Sequence, residues 1–333
     1  MQSFTEIEMF GNTKKQWLDK YLGLTEGIPS HDTFRRVLSM LDSAEAGGFL
    51  VNLMSDLVAR ATIESDTIAI DGKTLRRSYA SEDKDDPLHT VQAFATETKL
   101  TLGQVSTDQK SNEITAIPRL LEILNIAQKL ITIDAMGCQR EIAKQIIDQG
   151  GDYVLAVKDN QPTLHQDIRA EFDKHLESDF ADVQVSHHSE TAKTRGRLET
   201  RDCYVRNVPE NWEHIDRWKA LSSIAMVISH RTTKGNEQHE VRYYIGSIGC
   251  DAKRYAKAIR NHWAIENSLH WVLDVTMNED QCRTRTNNAA ENLSLIRKLA
   301  LNFLRHPELG KESLRGKQSK AALSDDFRDR CSP

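Results

Sequence analysis

TIAIDGKTLRR (residues 67–77) and LITIDAMG (residues 130–137) are the two stretches that decide the fold. In each, a short apolar run rich in β-branched residues leads to an aspartate, Asp71 in the first stretch and Asp134 in the second. Such runs are typical of short buried strands. We expect each strand to end on its aspartate and to present the carboxylate at a sheet edge, whereas a plain turn after each strand is the simpler alternative.

The elements around these stretches are predicted in the order strand, strand, strand, helix, strand, helix, strand. The remaining strands are HTVQAFAT and LTLGQVST, which form a hairpin, and DYVLAVK. The helices are EITAIPRLLEILN, broken or started near Pro118, and QREIAKQIIDQGG, which ends on glycine. This order is that of a ribonuclease H-like α/β fold, a mixed sheet flanked by helices, in which the first and fourth strands lie side by side.

The chain divides by pattern into four parts. Residues 1–62 are predicted to form a helical N-terminal region. Residues 63–178 and 251–306 are predicted to form the ribonuclease H-like domain, and residues 179–250 a β-rich insertion within it. Residues 307–333 are predicted to be a loose polar tail.

Helices outside the core order are predicted from apolar residues at helical spacing. The longest has Asp251 as its N-cap. These helices cover Lys14–Leu22, Thr33–Val58, 163–178, Asp251–Val275 and about Asn288–Leu304.

Charge and composition narrow the class of protein. The formal net charge is −5, so this is not a basic protein that coats DNA, although basic residues can still be concentrated on one face. No apolar run approaches the roughly 20 residues of a membrane helix. Five scattered cysteines form no CxxC pair, and the first residues lack the layout of a secretion signal. We therefore expect a cytoplasmic protein.

A third carboxylate is offered by the predicted helix NHWAIENSLHWVLD. His262, Glu266 and His270 are four residues apart and would share one face of an α-helix. A Glu between two histidines is costly to bury unless it binds something. A solvated Glu266 on an amphipathic helix is an equally good interpretation, and a zinc hydrolase built on these three residues is a weaker one because it leaves Asp71 and Asp134 unused.

Three carboxylates suit one kind of chemistry in particular. Attack on a phosphodiester needs an activated hydroxyl and a stabilised leaving oxygen, and two Mg²⁺ ions about 4 Å apart provide both. Hard divalent cations prefer oxygen ligands, so Asp and Glu are the expected residues. Asp71, Asp134 and Glu266 are accordingly the candidate catalytic and metal-binding residues, with Mg²⁺ or Mn²⁺ as the cofactor.

Longer motifs resemble a known family. GIPSHDTFRRV, IAIDGKTLR, SNEITAIPRLLEIL, ITIDAMGCQ, IAKQIIDQGGDYVLAVKDNQ, RGRLETR, VRYYIGS and IRNHWAIENSLHWVLDVTMNEDQCR occur in order from about residue 20 to 305. They resemble the H-repeat-associated proteins, a group of DDE transposases of the insertion-sequence type. The resemblance implies a ribonuclease H-like catalytic domain with Asp71 and Asp134 as the first two acids and Glu266 as the third.

The last helix departs from the pattern of related insertion-sequence transposases. Those proteins often carry Tyr, Arg and Lys at fixed distances from the third acid, where this chain has Ile259, His262 and Leu273. Arg260, on a neighbouring turn of the predicted helix, would supply the missing cation. The helical N-terminal region is also shorter than the resemblance implies.

Basic residues close to the three acids are predicted to contact DNA. Arginine suits phosphate because its planar guanidinium donates two hydrogen bonds at once. Such contacts fix the position of DNA without reading its sequence. Trp263 and Trp271 are predicted to pack in the core rather than stack on a base. The candidate DNA contacts are Lys73, Arg76, Arg77, Lys158, Arg195, Arg197, Arg201, Arg260 and His262.

The leading functional hypothesis is a transposase that cleaves double-stranded DNA at the ends of an insertion element and joins the ends to a target. A metal-dependent nuclease without strand transfer is the second hypothesis. A catalytically inactive DNA-binding remnant of a mobile element is the third. Because two ends must be held together, a homodimer on DNA is expected for a transposase.

Overall fold

The computed structural model describes residues 3–60, 67–78, 87–107, 113–176, 178, 180–194, 197–233 and 236–331, with backbone only at 50, 54–60, 194 and 197. The helices are α1 Phe4–Thr13, α2 Lys15–Leu22, α3 His31–Met40, α4 Ser43–Arg60, α5 Glu113–Ile123, α6 Arg140–Asp148, α7 Pro162–Leu176, α8 Ala252–His262, α9 Trp271–Val275, α10 Ala289–Leu304, α11 Leu314–Leu323 and α12 Asp325–Cys331. The strands are β1 Thr67–Thr74, β2 His89–Ala95, β3 Leu100–Ser106, β4 Leu130–Ile133, β5 Asp152–Val157, β6 Ser186–Thr194, β7 Arg197–Asn207, β8 Ser223–Thr233 and β9 Asn236–Gly246.

The chain folds as two compact units. The first contains Met1–Glu64, Gly72–Asn112 and Ile265–Pro333. The second contains Ser65–Asp71 and Glu113–Ala264. The boundary falls inside β1, directly after Asp71.

A mixed sheet forms the centre of the second unit, with the strand order β1-β4-β5-β9-β8-β7-β6. β1, β4 and β5 run parallel, and β9 is antiparallel to β5. The pairing of β1 with β4 confirms that the first and fourth strands are neighbours. Together with the predicted order of strands and helices, this pairing makes the fold ribonuclease H-like.

The predicted β-rich insertion continues this central sheet. β9, β8, β7 and β6 form an antiparallel meander whose first member pairs with β5. The polar strand β6, SHHSETAKT, has no hydrophobic alternation and was not predicted. It forms because its whole length pairs with β7.

Helix α8 packs across the sheet of the second unit. Asp251 caps it as predicted, since its carboxylate accepts a hydrogen bond from the Arg254 N–H at 3.0 Å. Tyr255 is fully buried, and its hydroxyl lies 2.8 Å from the Ser223 hydroxyl. A side chain at Gly246 would collide with the Tyr255 ring, so the close approach of helix and strand requires glycine at this position.

The first unit combines helices with the hairpin of β2 and β3. The amide side chain of Asn302, on α10, both donates to and accepts from the backbone of Thr101 on β3. α3 is held on α10 in a similar way, because the Asn292 amide donates to the Leu38 and Leu41 carbonyls. These two buried amide side chains thus join α10 to β3 and to α3.

The N-terminal region is helical as predicted, but its helix boundaries differ from those of the sequence pattern. Ser3 caps a first helix, α1, that was not predicted. The single helix expected over Thr33–Val58 is divided into α3 and α4, because the Asp42 carboxylate accepts from the Ala44 and Glu45 N–H groups and starts a new helix.

The prediction of a loose tail is wrong for the described residues up to 331. That segment forms α11 and α12. Asp329 accepts hydrogen bonds from the Trp17 indole and the Tyr21 hydroxyl, each at 2.7 Å. Arg328 lies over the Trp17 ring at 4.5 Å. Cation–π contacts and hydrogen bonds therefore fix a segment whose composition is polar.

The single helix expected over Asp251–Val275 is also wrong. α8 ends at His262, and a π-helical turn covers Glu266–His270 before α9. The wider turn keeps Ile265, Leu269 and Leu273 all fully buried. Among the described residues, every helix falls short of the length and apolarity needed to traverse a bilayer.

Candidate active site

Asp71 and Asp134 occupy equivalent places on neighbouring parallel strands. Ile70 of β1 pairs with Ile133 of β4, and each aspartate is the next residue. Because the carboxyl ends of parallel strands meet at one edge of a sheet, the two acids belong to the same edge. Asp134 directly follows its strand, as predicted. The expectation for Asp71 is wrong in one respect, since β1 continues to Thr74 beyond it.

A tight turn after β4 fixes Asp134. The residues Ala135–Gly137 form a 3-10 turn, and the Asp134 carboxylate accepts from the Met136 N–H at 3.0 Å and the Gly137 N–H at 3.5 Å. A side chain at Gly137 would collide with Ile133 and Ile117. The Asn160 amide, in the segment that follows β5, donates to the Ala135 carbonyl at 2.6 Å and so holds the turn.

The electrostatic environment of Asp134 disfavours its ionised form. Burial raises the pKa of the Asp134 carboxyl, and the negative charge of Glu113 raises it further. The two backbone N–H groups and the Lys158 ammonium oppose this shift without cancelling it. A carboxylate that is half-buried beside a second acid gains most from a cation placed next to it.

Glu113 is a residue that the sequence analysis missed. It is the first residue of α5, and Ile117, one turn later on the same helix face, lies close to the turn at Gly137. A Glu in the first turn of a helix is common as a partner of the helix dipole, so its position gave no functional signal.

These residues fit a divalent cation. Two carboxylates share one strand edge, a third acid is close enough to shift the pKa of Asp134, and all three offer oxygen ligands. Lys158 is exposed at the end of β5, where a cation can hold a phosphate. The edge of β1, β4 and β5 therefore carries both an acidic centre and a basic residue beside it.

Glu266 belongs to the first unit. Its side chain is exposed, and it is the first residue of the π-helical turn. His262 is the last residue of α8 and Glu266–His270 is a π-helical turn, so the prediction of one regular α-helix through His262, Glu266 and His270 is wrong. Single π turns are frequent at functional sites, which keeps Glu266 a candidate.

His262 is a neutral residue at physiological pH. Burial lowers its pKa to about 4. Its Nδ1 lies 3.2 Å from the Thr132 hydroxyl, which donates to the Ile68 carbonyl at 3.5 Å. The imidazole thus connects α8 to β4 and β1, and a neutral ring offers no charge to a phosphate.

The predicted basic residues of the second unit are differently placed. Arg201 pairs with Glu199 at 2.8 Å, and Arg260 forms an ion pair with Glu190. Lys158 is exposed. Arg195 and the side chain of Arg197 lie outside the described residues.

In the first unit, Lys73 is almost fully buried and its ammonium lies 2.6 Å from the Asp274 carboxylate. Arg76 is exposed and lies 3.6 Å from Asp280. The backbone carbonyl of Arg77 accepts from the Arg285 guanidinium at 3.0 Å. Of these three predicted DNA contacts, Lys73 is the one whose side chain is buried and therefore not accessible to DNA.

The prediction that Trp263 and Trp271 pack in the core is wrong. Trp263 is 38% exposed and Trp271 57% exposed. The Arg242 guanidinium lies over the Trp263 ring at 4.6 Å, so an exposed cation–π contact holds that side chain.

A second group of possible metal ligands lies elsewhere in the second unit. Among the described residues, ligand atoms of Asp167, Glu213 and His214 lie within 4.8 Å of one another. The His214 Nε2 is already 2.7 Å from Asp167, and its buried Nδ1 has no hydrogen-bond partner. Metal-bound histidines usually donate from the second nitrogen, so this group is better explained as a buried His–Asp hydrogen bond.

Comparison with known proteins agrees with the family resemblance. A family model described as "Transposase DDE domain" matches residues 63–303, and one described as "DDE_Tnp_1-associated" matches residues 1–52. The "H repeat-associated putative transposase YhhI" of Escherichia coli strain K12 is 42% identical over 98% of this chain and 86% of its own length. The "Putative transposase YncI" of Escherichia coli O157:H7 is 44% identical over 96% of this chain and 82% of its own length.

A solved structure of a piggyBac transposase synaptic complex with hairpin DNA aligns with 99% of this chain and 72% of its own, with a TM-score of 0.41 and 12% identity. The family model covers most of the chain, and the relatives cover nearly all of it at more than 40% identity. The chain therefore belongs to the DDE transposase family.

Proposed function

We propose that this protein cleaves DNA at the ends of an insertion element in a reaction that requires Mg²⁺ or Mn²⁺, and joins the freed 3′-hydroxyl to target DNA. The observation that carries the proposal is the pairing of Ile70 with Ile133, which gives Asp71 and Asp134 equivalent positions at one sheet edge. The family and the names of the relatives support the same activity.

Asp71 and Asp134 are proposed as the first two metal-binding residues and Glu266 as the third. Two observations support a role for Asp134 in particular. Its carboxylate is fixed by two backbone N–H groups, and its ionised form is disfavoured without a nearby cation. When bound, a divalent cation supplies an activated hydroxyl and a stabilised leaving oxygen.

The chain's own residues would orient the DNA around this centre. Lys158, at the end of β5, is proposed to hold a phosphate next to Asp134. Further contacts with the DNA backbone are proposed for Arg76, Arg77, Arg195, Arg197, Arg201 and Arg260. Lys73 and His262 are the weaker members of the predicted set, because one is buried in ion pairs and the other is neutral.

The proposal includes double-stranded DNA as the partner, a homodimer on that DNA, and a cytoplasmic location. All five cysteines are free thiols, which supports a reducing compartment. We also propose that the activity is divided among four parts of the chain, residues 1–62, 63–178 with 251–306, 179–250 and 307–333. The first of these parts would contribute to DNA binding.

The test uses labelled duplex DNA carrying the ends of the protein's own element, with Mg²⁺. Asp71→Asn, Asp134→Asn and Glu266→Gln should each lower the cleavage rate by about 10²–10³-fold or more, because each removes a negatively charged ligand of the divalent cation that would stabilise the reacting phosphate. Asp148→Asn is the matched control, since Asp148 is an exposed carboxylate on α6 that pairs with Lys144. It should leave the rate unchanged.

The products separate the alternatives. Cleavage with joined products supports a transposase, and cleavage without joining supports a nuclease. Binding without cleavage by the wild-type protein would favour an inactive remnant. If Glu266→Gln retained full activity while the aspartate variants lost it, the third acid would have to be another residue.

A further inference from the structure

The outward face of α3 carries arginines around an open pocket. The pocket has a volume of about 530 Å³. It is lined by Asp32, Thr33, Arg35, Arg36, Ser39 and Thr286, all of which belong to the first unit. We propose that this pocket, here called the α3 pocket, binds the phosphodiester backbone of DNA.

The α3 helix is held firmly enough to present such a surface. Ser30 caps its start by accepting from the Thr33 N–H, and the Asn292 amide of α10 donates to the carbonyls of Leu38 and Leu41 at its end. A second amide, that of Asn288, also donates to the Leu41 carbonyl at 2.9 Å. Because both ends are fixed, binding would require little ordering of the helix.

The charge of the pocket suits a phosphate. Arg35 lies 2.8 Å from Asp32, so one of the two arginines is largely neutralised. Within the described part of the chain, Arg36 is exposed and has no carboxylate partner. Arginine and hydroxyl side chains are the groups that commonly donate hydrogen bonds to the phosphates of the DNA backbone.

The hydroxyl groups lie on the same face. The Thr33 and Ser30 hydroxyls are 3.1 Å apart, and the Ser39 hydroxyl donates to the Arg36 carbonyl at 2.8 Å. Thr286 completes the wall from the segment that precedes α10. The volume lies in the range of about 300–1,000 Å³ that is typical of ligand sites, enough for a sugar-phosphate unit.

This inference rests on the proposed function, because it assumes that the protein's partner is DNA. It differs from that function in its residues, since the α3 pocket contains none of the proposed catalytic residues. It also explains what the N-terminal region contributes. A surface of this kind would bind DNA without sequence preference and would add affinity that depends on salt.

The experiment measures binding of a fluorescent duplex of the element end to the full chain, by anisotropy, between 50 and 200 mM salt. Arg36→Gln should weaken binding by about fivefold at 100 mM salt and reduce the slope of log K against log salt by about one. Arg169→Gln is the matched control, because Arg169 is an equally exposed arginine on α7 that pairs with Asp173 at 3.4 Å.

The possible binding results distinguish a failure of the α3 pocket from a failure of the proposed function. Wild-type binding with no difference between Arg36→Gln and Arg169→Gln would overturn the α3 pocket and leave the proposed function intact. Absence of wild-type binding would overturn both. If both variants unfold at the same temperature as the wild type, a folding defect is excluded as the cause of any difference in DNA binding.

Discussion

Each unit of the protein contains a cluster of carboxylates, and the two clusters differ in the cations that lie beside them. At the edge of β1 and β4, Asp134 is half-buried beside Glu113, and Lys158 only partly compensates for the two negative charges. In the first unit, Asp274, Glu279 and Asp280 surround the buried ammonium of Lys73 at distances of 2.6, 3.8 and 3.8 Å.

In the cluster of the first unit, side chains of the same unit supply the hydrogen bonds and positive charges that the acids need. Glu279 is almost fully buried, and it accepts from the Ser294 hydroxyl at 2.8 Å. The ammonium of Lys298, also fully buried, lies 2.6 Å from that hydroxyl and 3.9 Å from Glu279. Burial lowers the pKa of Lys298 to about 8. This cluster, called here the Lys73 cluster, contains two buried ammonium groups as counterions. Burial and the neighbouring acids still raise the pKa of Asp274 within it, while Lys73 opposes this shift.

This difference in neighbouring cations distinguishes acids that stabilise the fold from acids that are suited to binding a metal ion. A buried acid that has its cation within the same unit stabilises that unit only if the pair stays intact. An acid whose pKa is raised, with no matching cation close by, favours a cation from outside. The comparison therefore predicts stability defects in the Lys73 cluster and functional defects at the edge of β1 and β4.

The largest effect is expected in the Lys73 cluster. Glu279→Ala should lower the free energy of unfolding by about 3–5 kcal/mol, because it leaves the buried ammonium group of Lys298 without its carboxylate and removes one of the three carboxylates around Lys73. Urea unfolding measures the change. Asp134→Ala, the counterpart at the other cluster, should change the free energy of unfolding by less than about 1 kcal/mol.

A double variant shows whether the charge is the reason. Glu279→Gln combined with Lys298→Met removes one charge of each sign and should recover most of the lost stability. If the double variant were as unstable as Glu279→Ala, the defect would come from packing. The comparison between the two clusters would then lose its electrostatic basis.

An effect of intermediate size is expected at Glu113. Glu113→Gln should weaken Mn²⁺ binding by about three- to tenfold, because it removes a negative charge that acts on the Asp134 carboxylate. Electron paramagnetic resonance of free Mn²⁺ measures the affinity without any cleavage assay. Glu122→Gln on the same helix, with an exposed side chain, is the control and should bind like the wild type. Equal affinity in both variants would remove Glu113 from the site.

The smallest effect is a gain in stability. Asp134→Asn should raise the free energy of unfolding by about 0.5–1 kcal/mol at pH 7 without metal, because it removes a disfavoured charge and keeps an oxygen for the Met136 N–H. The folded protein holds the proton of Asp134 more tightly than the unfolded chain does, since the pKa is raised on folding. The gain should therefore be largest above the folded pKa and disappear as the pH falls below the ordinary aspartate pKa of about 3.9.

Thermal unfolding at pH 7 and at low pH tests this sign. A wild-type protein that is more stable than Asp134→Asn at pH 7 would contradict it. Added Mg²⁺ should reverse the order, because a bound cation stabilises the wild-type carboxylate and has no counterpart charge in the variant.

Much of the core could be predicted because its residues follow simple patterns. Ile70 and Ile133 end two apolar runs, and Asp71 and Asp134 follow them, so an aspartate at the end of each strand was expected from the sequence. The same holds for Asp251, whose type and position fit an N-cap. These features depend on neighbours in the chain, which the sequence displays directly. That the two strands of Ile70 and Ile133 are neighbours was expected from the ribonuclease H-like fold and not from these residues.

What was missed depends on contacts between distant residues. β6 is a strand because β7 pairs with it, and its own sequence is polar. The π-helical turn at Glu266 differs from an α-helix by one residue per turn, which apolar spacing does not resolve. Glu113 is recognised by its effect on Asp134, and that effect requires the packing of α5 beside the turn after β4.

The hydrogen bonds of Asp329 with Trp17 and Tyr21 join positions that are about 310 residues apart along the chain. A ribosome makes α1 and α2 well before it makes α12, which carries their partner residue. The two helices therefore wait for about 310 further residues to be synthesised before these contacts can form. A nascent chain that stops early leaves these helices without the side chains that cover them, so this helical surface is completed only in chains that are translated through α12.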